Sequence, residues 1–248
     1  MRIIDVSVHQ GVIDWEKVKD HIGGAILRCG YGSDIPSQDD KQWKRNADEC
    51  TRLGIPFGVY LYSYAKTNIM AQSEAQHVLR LVKGYNLSLP IYYDLEQSGT
   101  EQGAVQRAHV FGDIIEKAGY WCGVYANEYW WKSIINDPSL NRFTKWVAKY
   151  NANNGKMGKK PSISGTDIWQ YTSKGSVPGI KGDVDMNEMF RDLISEVRAT
   201  TGTKKTVLEL ANEVIVGMWG NGTERKNRLT AAGYDYKEVQ SKVNELLS

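Results

Sequence analysis

The chain has 248 residues, of which 41% are hydrophobic and 24% are charged, and its formal net charge is +2. This length fits one barrel-sized domain plus a small appendage, with the composition of an ordinary globular protein. The near balance of charge gives no support for nucleic acid as a partner, because nucleic-acid binding needs a concentrated basic face. No apolar run is long enough to span a bilayer, and no signal-peptide pattern opens the chain. We therefore expect no membrane insertion and no signal-dependent export.

Strand-like and helix-like runs alternate up to about residue 190. The predicted strands are Ile3–Val6, Ala25–Cys29, Phe57–Tyr62, Ile91–Leu95, Trp121–Tyr125, Lys145–Lys149, Ile168–Tyr171 and Asp183–Asp185. Predicted helices cover Asp39–Leu53, Ile69–Val82 and Val105–Ala118, and a glycine closely follows each of them, as is typical of helix ends. The alternation indicates a parallel α/β fold, and eight strands favour a TIM-like β/α barrel over an open sheet.

The composition changes near residue 200, where small, polar and basic residues predict a linker over residues 193–206. Three short helical patterns follow it, at Val207–Val216, Thr223–Ala232 and Asp235–Leu247. The chain is therefore expected to contain a barrel domain over residues 1–192 and a small three-helix module over residues 207–248.

Acidic residues close three of the predicted strands. Asp94 and Glu96 follow an apolar run, and their i, i+2 spacing places both on one face of a strand. Asp5 closes the first strand and Asp185 the last, and these strands become neighbours when a barrel closes. All four acids are therefore expected at one barrel mouth. A close pair of carboxylates tends to retain one proton, which suits the acid and base roles of glycoside hydrolysis.

Two other interpretations of the acidic pair stay open at this point. Carboxylates at strand ends are often simply solvated, and oxygen ligands also suit Mg²⁺ or Ca²⁺. The four histidines show no metal-ligand spacing, so we expect no metal and no cofactor. The three cysteines form no close pair, and free buried thiols are expected in preference to a disulfide.

Several aromatic and basic residues are candidates for contact with a sugar, since flat rings stack on pyranose faces. The candidates on or near predicted strand ends are Tyr62, Tyr64, Tyr125 and Trp169, with core packing as the alternative role for each ring. Arg28 is a candidate for orienting a carboxylate such as Asp5, with a surface ion pair of little energetic value as the alternative. His9 is a further candidate contact, because it follows Asp5 closely, with an ordinary surface or hydrogen-bonded histidine as the alternative.

At these residues the chain resembles glycoside hydrolase family 25, the muramidases often found as phage endolysins. The resemblance covers about residues 1–190 and is carried by DVSVHQG at 5–11, GVYLYSYA at 58–65, AQSEA at 71–75, YYDLE at 92–96, GVYAN at 123–127 and DIWQYTSKGSVPGIKGDVDMN at 167–187. It implies an irregular β/α barrel that hydrolyses the β-1,4 bond between N-acetylmuramic acid and N-acetylglucosamine. It also implies that Glu96 is the general acid, that Asp94 is its partner, and that Asp5 and Asp185 are the other acids of the cleft. A direct nucleophile, an attacking water and the substrate's acetamido group are all compatible with the resemblance.

Residues 210–247 resemble the short cell-wall-binding repeat of streptococcal-type phage lysins, which implies bacterial peptidoglycan as the partner. The aromatic and basic residues near the predicted interhelical turns are Trp219, Arg225, Tyr234 and Tyr236. Arg225 and Tyr236 are the expected contacts with the wall, and helix packing is the alternative for both tyrosines.

The two resemblances together imply a phage endolysin that stays in the host cytoplasm until holin-type release and then acts at the cell wall. One alternative is a catalytically inactive peptidoglycan-binding protein on a hydrolase scaffold. Another is an amidase or peptidase acting on the peptide stems, although no zinc or Cys/His constellation is visible for it. The oligomeric state is left open by the sequence.

Overall fold

Eight strands close into a barrel, and each strand pairs with the next one in the sequence. The structure is a computed structural model that describes residues 1–201 and 205–247. The strands are β1 (Arg2–Val6), β2 (Ala25–Tyr31), β3 (Phe57–Tyr62), β4 (Ile91–Asp94), β5 (Cys122–Asn127), β6 (Thr144–Ala148), β7 (Thr166–Gly175) and β8 (Val184–Met189). The predicted α/β barrel is therefore confirmed.

Five helices connect the strands from β1 to β6, one in each connection. They are α1 (Trp15–Val18), α2 (Trp43–Leu53), α3 (Asn68–Val82), α4 (Ala104–Lys117) and α5 (Glu128–Ser133). Helix α2 begins at Trp43, four residues later than predicted. The carboxylate of Asp40, within the predicted helix, instead accepts hydrogen bonds from Arg28 and from the backbone N–H groups of Val8 and Gln42. The connection from β6 to β7 contains no helix.

The parallel arrangement indicated by the sequence holds for seven strands, whereas β8 runs antiparallel to both β7 and β1. Only residues 176–183 separate β7 from β8. A parallel crossover needs a dozen or more residues, so the chain can only return as a hairpin. Strand β8 is also longer than predicted, because its pairing with β1 extends to Glu188, three residues beyond Asp185.

Alternation along the strands separates two apolar layers. Side chains such as Ile3, Tyr92, Trp146 and Ile168 pack together inside the barrel, while the intervening residues pack against the surrounding helices. The interior therefore receives every second residue of each strand. Residues two positions apart on a strand lie on the same side of the sheet. A polar side chain can therefore reach the barrel mouth only from an inward-facing position.

A further helix, α6 (Leu193–Thr201), follows the barrel. Leu193 and Ile194 are buried against the interior cluster, and Arg198 donates hydrogen bonds to the hydroxyl of Ser88. The first nine positions of the linker predicted over residues 193–206 are helical, and this helix packs on the barrel through Leu193 and Ile194. Residues 202–204 lie outside the described part of the chain. The cysteines Cys29, Cys50 and Cys122 are buried free thiols, as expected.

The C-terminal unit spans residues 203–248 and contains the three predicted helices, α7 (Val207–Ile215), α8 (Gly222–Ala231) and α9 (Tyr236–Leu247). Thr206 and Glu209 form a reciprocal capping box at the start of α7. The core of this unit is small and consists of Leu210, Ala211, Val214, Leu229, Val239 and Val243. Within the described ranges of both units, no helix has the length and apolar character needed to cross a membrane.

Candidate active site

The four acids identified in the sequence line one cleft of about 310 Å³. Asp5 lies on β1, Asp94 is the last residue of β4, Glu96 follows two positions later, and Asp185 lies on β8. Asp5 and Asp185 are directly paired across the antiparallel ladder. The reversed direction of β8 therefore brings Asp185 to the mouth from the start of its strand, where the sequence had placed it at the end.

Burial perturbs the protonation of all four acids. It raises the pKa of Asp94 well above the ordinary value, and the charges of Glu96 and Asp5 add to this effect while Arg28 opposes it. Burial and the charge of Asp185 raise the pKa of Glu96. Burial likewise raises the pKa of Asp185 to about 6. Because burial and like charges both disfavour the ionised form, each of these shifts favours retention of a proton within the cleft.

Asp94 and Asp5 are held very differently. Asp94 is only 3% exposed, and its Oδ1 is buried with no hydrogen-bond partner in the described structure. The Oδ2 of Asp5 accepts hydrogen bonds from Gln170 Nε2 at 2.9 Å and Asn187 Nδ2 at 2.8 Å. These two amides lower the pKa of Asp5, but burial and the charge of Asp185 outweigh them, so that pKa is still raised.

Of the expected sugar contacts, Tyr62, Tyr125 and His9 line the cleft. Tyr64 lies beside Tyr62, with ring centroids 5.1 Å apart, and is 44% exposed, although it does not line the cleft itself. Trp169 does not line the cleft and takes the alternative role of core packing: it is 1% exposed and its indole N–H donates to the carbonyl of Lys149. The alternation of β7 explains this placement, because Gln170 faces the interior and its neighbour Trp169 must face outward.

Arg28 lines the cleft, as expected, but it does not pair with Asp5. Its Nε donates to Asp40 Oδ2 at 2.8 Å, and the side chain of Asp40 is fully buried. Arg28 therefore acts on the acids as a nearby positive charge, and its effect on Asp94 is to lower the pKa.

Several lining residues were not identified from the sequence: Ser7, Gln10, Tyr60, Trp146, Tyr150 and Gln170. Asn187, which contacts Asp5, was also missed. Gln170 and Asn187 stand out only as amides within strands, where both prove to be buried, and a buried amide requires partners. That pattern could have marked both as members of a polar network. Within the described ranges, no group of three or more His, Cys, Asp or Glu residues is arranged to hold a metal ion.

In the C-terminal unit, the four expected wall contacts are mostly engaged within the unit itself. Trp219 donates from its indole N–H to Glu213 at 2.9 Å, and Tyr234 packs edge-on against its ring. Arg225 donates to the Gly220 carbonyl and to the side chains of Asn221 and Gln240. Tyr236 packs beside the small core. Each of the four is only partly buried, so a face of each side chain stays accessible.

Comparison with known proteins agrees with this geometry. Residues 4–180 match Glycosyl hydrolases family 25, and residues 209–247 match the CW_7 repeat. The chain is 33% identical to the lysozyme of Streptococcus phage Cp-7 over 98% of its own length and 69% of that protein. These matches confirm both resemblances found in the sequence.

Solved structures extend the comparison to the barrel. The catalytic domain of endolysin ply40 from a Listeria monocytogenes phage is 28% identical with a TM-score of 0.72, covering 82% of this chain and 98% of that one. The autolysin LytC of Streptococcus pneumoniae, solved in complex with a synthetic peptidoglycan ligand, is 35% identical with a TM-score of 0.64. That match covers 75% of this chain, which spans less than half (46%) of LytC. The chain therefore belongs to glycosyl hydrolases family 25 and is a glycoside hydrolase of the lysozyme type.

Proposed function

We propose that this protein hydrolyses the β-1,4 bonds between N-acetylmuramic acid and N-acetylglucosamine in bacterial peptidoglycan. Membership of family 25 supports this substrate, as does similarity to a phage lysozyme and to an autolysin solved with a peptidoglycan ligand. The observation that carries the proposal is the meeting of four largely buried acids from three strand ends in one cleft.

In the proposed reaction, Glu96 is the general acid that gives its proton to the leaving glycosidic oxygen. Its raised pKa favours the protonated form that this role needs. Asp94 is its partner, and Asp5 and Asp185 complete the negative lining that stabilises positive charge developing on the sugar ring. Tyr62, Tyr64, Tyr125, His9 and Arg28 are the proposed contacts with the glycan around these acids.

The C-terminal unit is proposed to hold the protein on the cell wall. The match to the CW_7 repeat supports this role, and Arg225, Tyr236, Trp219 and Tyr234 are the proposed contacts. Because α6 packs on the barrel, we place the end of the catalytic domain at Thr201 and the start of the binding module at Thr206. Similarity to a phage lysozyme supports a role as an endolysin that reaches the wall of its host by holin-type release.

Product analysis tests the proposed reaction directly. Purified peptidoglycan is digested, and mass spectrometry identifies whether the new reducing ends are N-acetylmuramic acid. We expect the new reducing ends to be N-acetylmuramic acid. We also expect Glu96→Gln to reduce the release of reducing ends by about 10²–10⁴-fold while the circular dichroism spectrum is unchanged. Binding to walls without new reducing ends from the unaltered protein would instead support the inactive binding protein. New free amino groups would support an amidase or peptidase.

The role of the module is tested separately by ending the chain after Thr201. We expect weaker binding to intact walls and nearly unchanged turnover of short soluble glycans, because the cleft lies within the barrel. Arg225→Ala in the full chain should also weaken binding, and exposed Lys226→Ala is the matched control that should not. Wall binding equal to that of the full chain after truncation would show that the module does not target the enzyme.

A further inference from the structure

The orientation of Asp5 is fixed by hydrogen bonds from two side-chain amides, which are themselves held by an indole and two phenols. The indole N–H of Trp146 donates to Asn187 Oδ1 at 2.8 Å. An indole can only donate, so the oxygen of Asn187 must face Trp146 and its NH₂ group must face Asp5. The amide can therefore offer Asp5 Oδ2 a donor and never an acceptor.

Gln170 reaches the same oxygen from the neighbouring strand. The phenols of Tyr125 and Tyr150 both lie within hydrogen-bond distance of Gln170 Oε1, at 2.8 Å and 2.6 Å. Both bonds are donated by the phenols, because an amide oxygen only accepts. The NH₂ group of Gln170 is thereby turned towards Asp5 Oδ2.

Two donors on one oxygen have a chemical consequence. A proton on Asp5 Oδ2 would point at an amide N–H, where no acceptor exists, so any proton on Asp5 must reside on Oδ1. Asp5 lines the cleft, and both amides use Oδ2, which leaves Oδ1 to face the cleft.

We propose that Asn187 and Gln170 are positioning residues that bind Asp5 Oδ2 and so present Oδ1 as an ionised acceptor for an O–H or N–H donor of the glycan or of the attacking water. This inference rests on the proposed function for its substrate. Neither amide is a catalytic residue, because both act through Asp5.

Asp5 shares the cleft with many titratable or charged groups. They are His9 after β1, Arg28 on β2, Tyr60 on β3, Asp94 on β4 with Glu96 beyond it, Tyr125 on β5, Tyr150 after β6 and Asp185 on β8. The two amides are the only neutral donors to the carboxylate among the described residues, and both lower the pKa of Asp5. Loss of either should therefore raise that pKa whatever the surrounding charges.

The test measures the titration of Asp5 itself. Aspartate carboxyl carbons are labelled with ¹³C in the full-length protein, and Asp5→Asn identifies the Asp5 signal. We expect Gln170→Met and Asn187→Ser each to raise the Asp5 pKa by about one unit, because a hydrogen bond to a charged group has this order of strength. Tyr171→Phe, an outward-facing neighbour on β7, is the matched control and should leave that pKa unchanged.

Activity supplies the second measurement. If Asp5 must be ionised, the acidic limb of the kcat/KM profile should move to higher pH with the Asp5 pKa, while a merely structural effect would lower activity without moving the limb. An unchanged Asp5 pKa in either folded variant would overturn the positioning role. A shifted pKa with an unmoved limb would overturn the requirement for the ionised form. Absence of glycan cleavage by the unaltered protein would overturn the proposed function alone, since the titration does not depend on it.

Discussion

Two buried carboxylates of the barrel, Glu74 and Asp94, are held in opposite ways. Glu74 is 0% exposed and accepts hydrogen bonds from Ser63 Oγ at 2.8 Å, Tyr93 OH at 2.6 Å and the backbone N–H of Tyr64 at 2.8 Å. Asp94 is nearly as buried, yet its Oδ1 has no partner in the described structure. An acid with several donors stabilises a fold, whereas an acid without them costs free energy.

The difference in hydrogen-bond partners distinguishes Glu74, a structural acid, from Asp94, a proposed functional acid, without reference to the reaction. Burial raises the pKa of both groups, but hydrogen bonds pull the pKa of Glu74 down while the charges of Glu96 and Asp5 push that of Asp94 further up. Glu74 holds the turn after β3, which carries Tyr64 beside the cleft. Asp94 lines the cleft, and its buried Oδ1 is left without a hydrogen-bond partner in the described structure.

The largest expected effect comes from Asp94→Asn, which keeps the shape of the side chain and removes its charge. We expect kcat to fall by about 10²–10⁴-fold, because the partner of the proposed general acid is lost. The free energy of unfolding should fall by no more than about 1 kcal/mol, or rise, since a poorly solvated charge is removed. Reducing-end assays and guanidinium unfolding measure the two quantities. Destabilisation by more than about 2 kcal/mol would place Asp94 with Glu74 as a structural acid.

The converse substitution is Glu74→Ala, which deletes an acceptor shared by three donors. We expect the free energy of unfolding to fall by about 3 kcal/mol or more, because the buried hydroxyls and N–H lose their partner. Glu74→Gln is the matched control and should cost less, since its oxygen can still accept while its NH₂ group opposes a donor. Thermal unfolding ranks the two variants. Equal stability of Glu74→Ala and the unaltered protein would remove the distinction between the two acids.

Much of this arrangement was predictable from the sequence, because it depends on local pattern. The bounds of β3 were predicted without error, and the apolar run before Asp94 placed that residue at a strand end. The i, i+2 spacing correctly put Asp94 and Glu96 on the side of the strand that faces the cleft. The three helices of the C-terminal unit followed from their apolar periodicity and glycine punctuation.

The errors concern properties that arise between segments. Alternation does not give strand direction, so the antiparallel pairing of β8 was missed. The side of the sheet on which Trp169 lies depends on the register of β7 against its neighbours. The pairing of β7 with β8 is irregular, with a register shift between Gln170 and Thr172. The sequence suggested that Arg28 orients Asp5, but Arg28 pairs with Asp40, which comes from the loop after β2. The polar composition after residue 192 predicted a linker there, but residues 193–201 form a helix whose few apolar side chains pack against the barrel.

The smallest expected effect comes from Tyr93→Phe, which removes one of the donors to Glu74 and keeps the ring stacked on Phe111 at 4.1 Å. We expect the free energy of unfolding to fall by about 1–2 kcal/mol, because one hydrogen bond to a buried acid is lost. The matched control is its neighbour Tyr92, whose buried hydroxyl has no hydrogen-bond partner in the described structure. Tyr92→Phe should therefore leave stability unchanged or raise it slightly, as guanidinium unfolding would show. A cost from Tyr92→Phe equal to that from Tyr93→Phe would mean that the hydroxyls matter for packing alone, and the contrast between satisfied and unsatisfied polar groups in this barrel would lose its energetic basis.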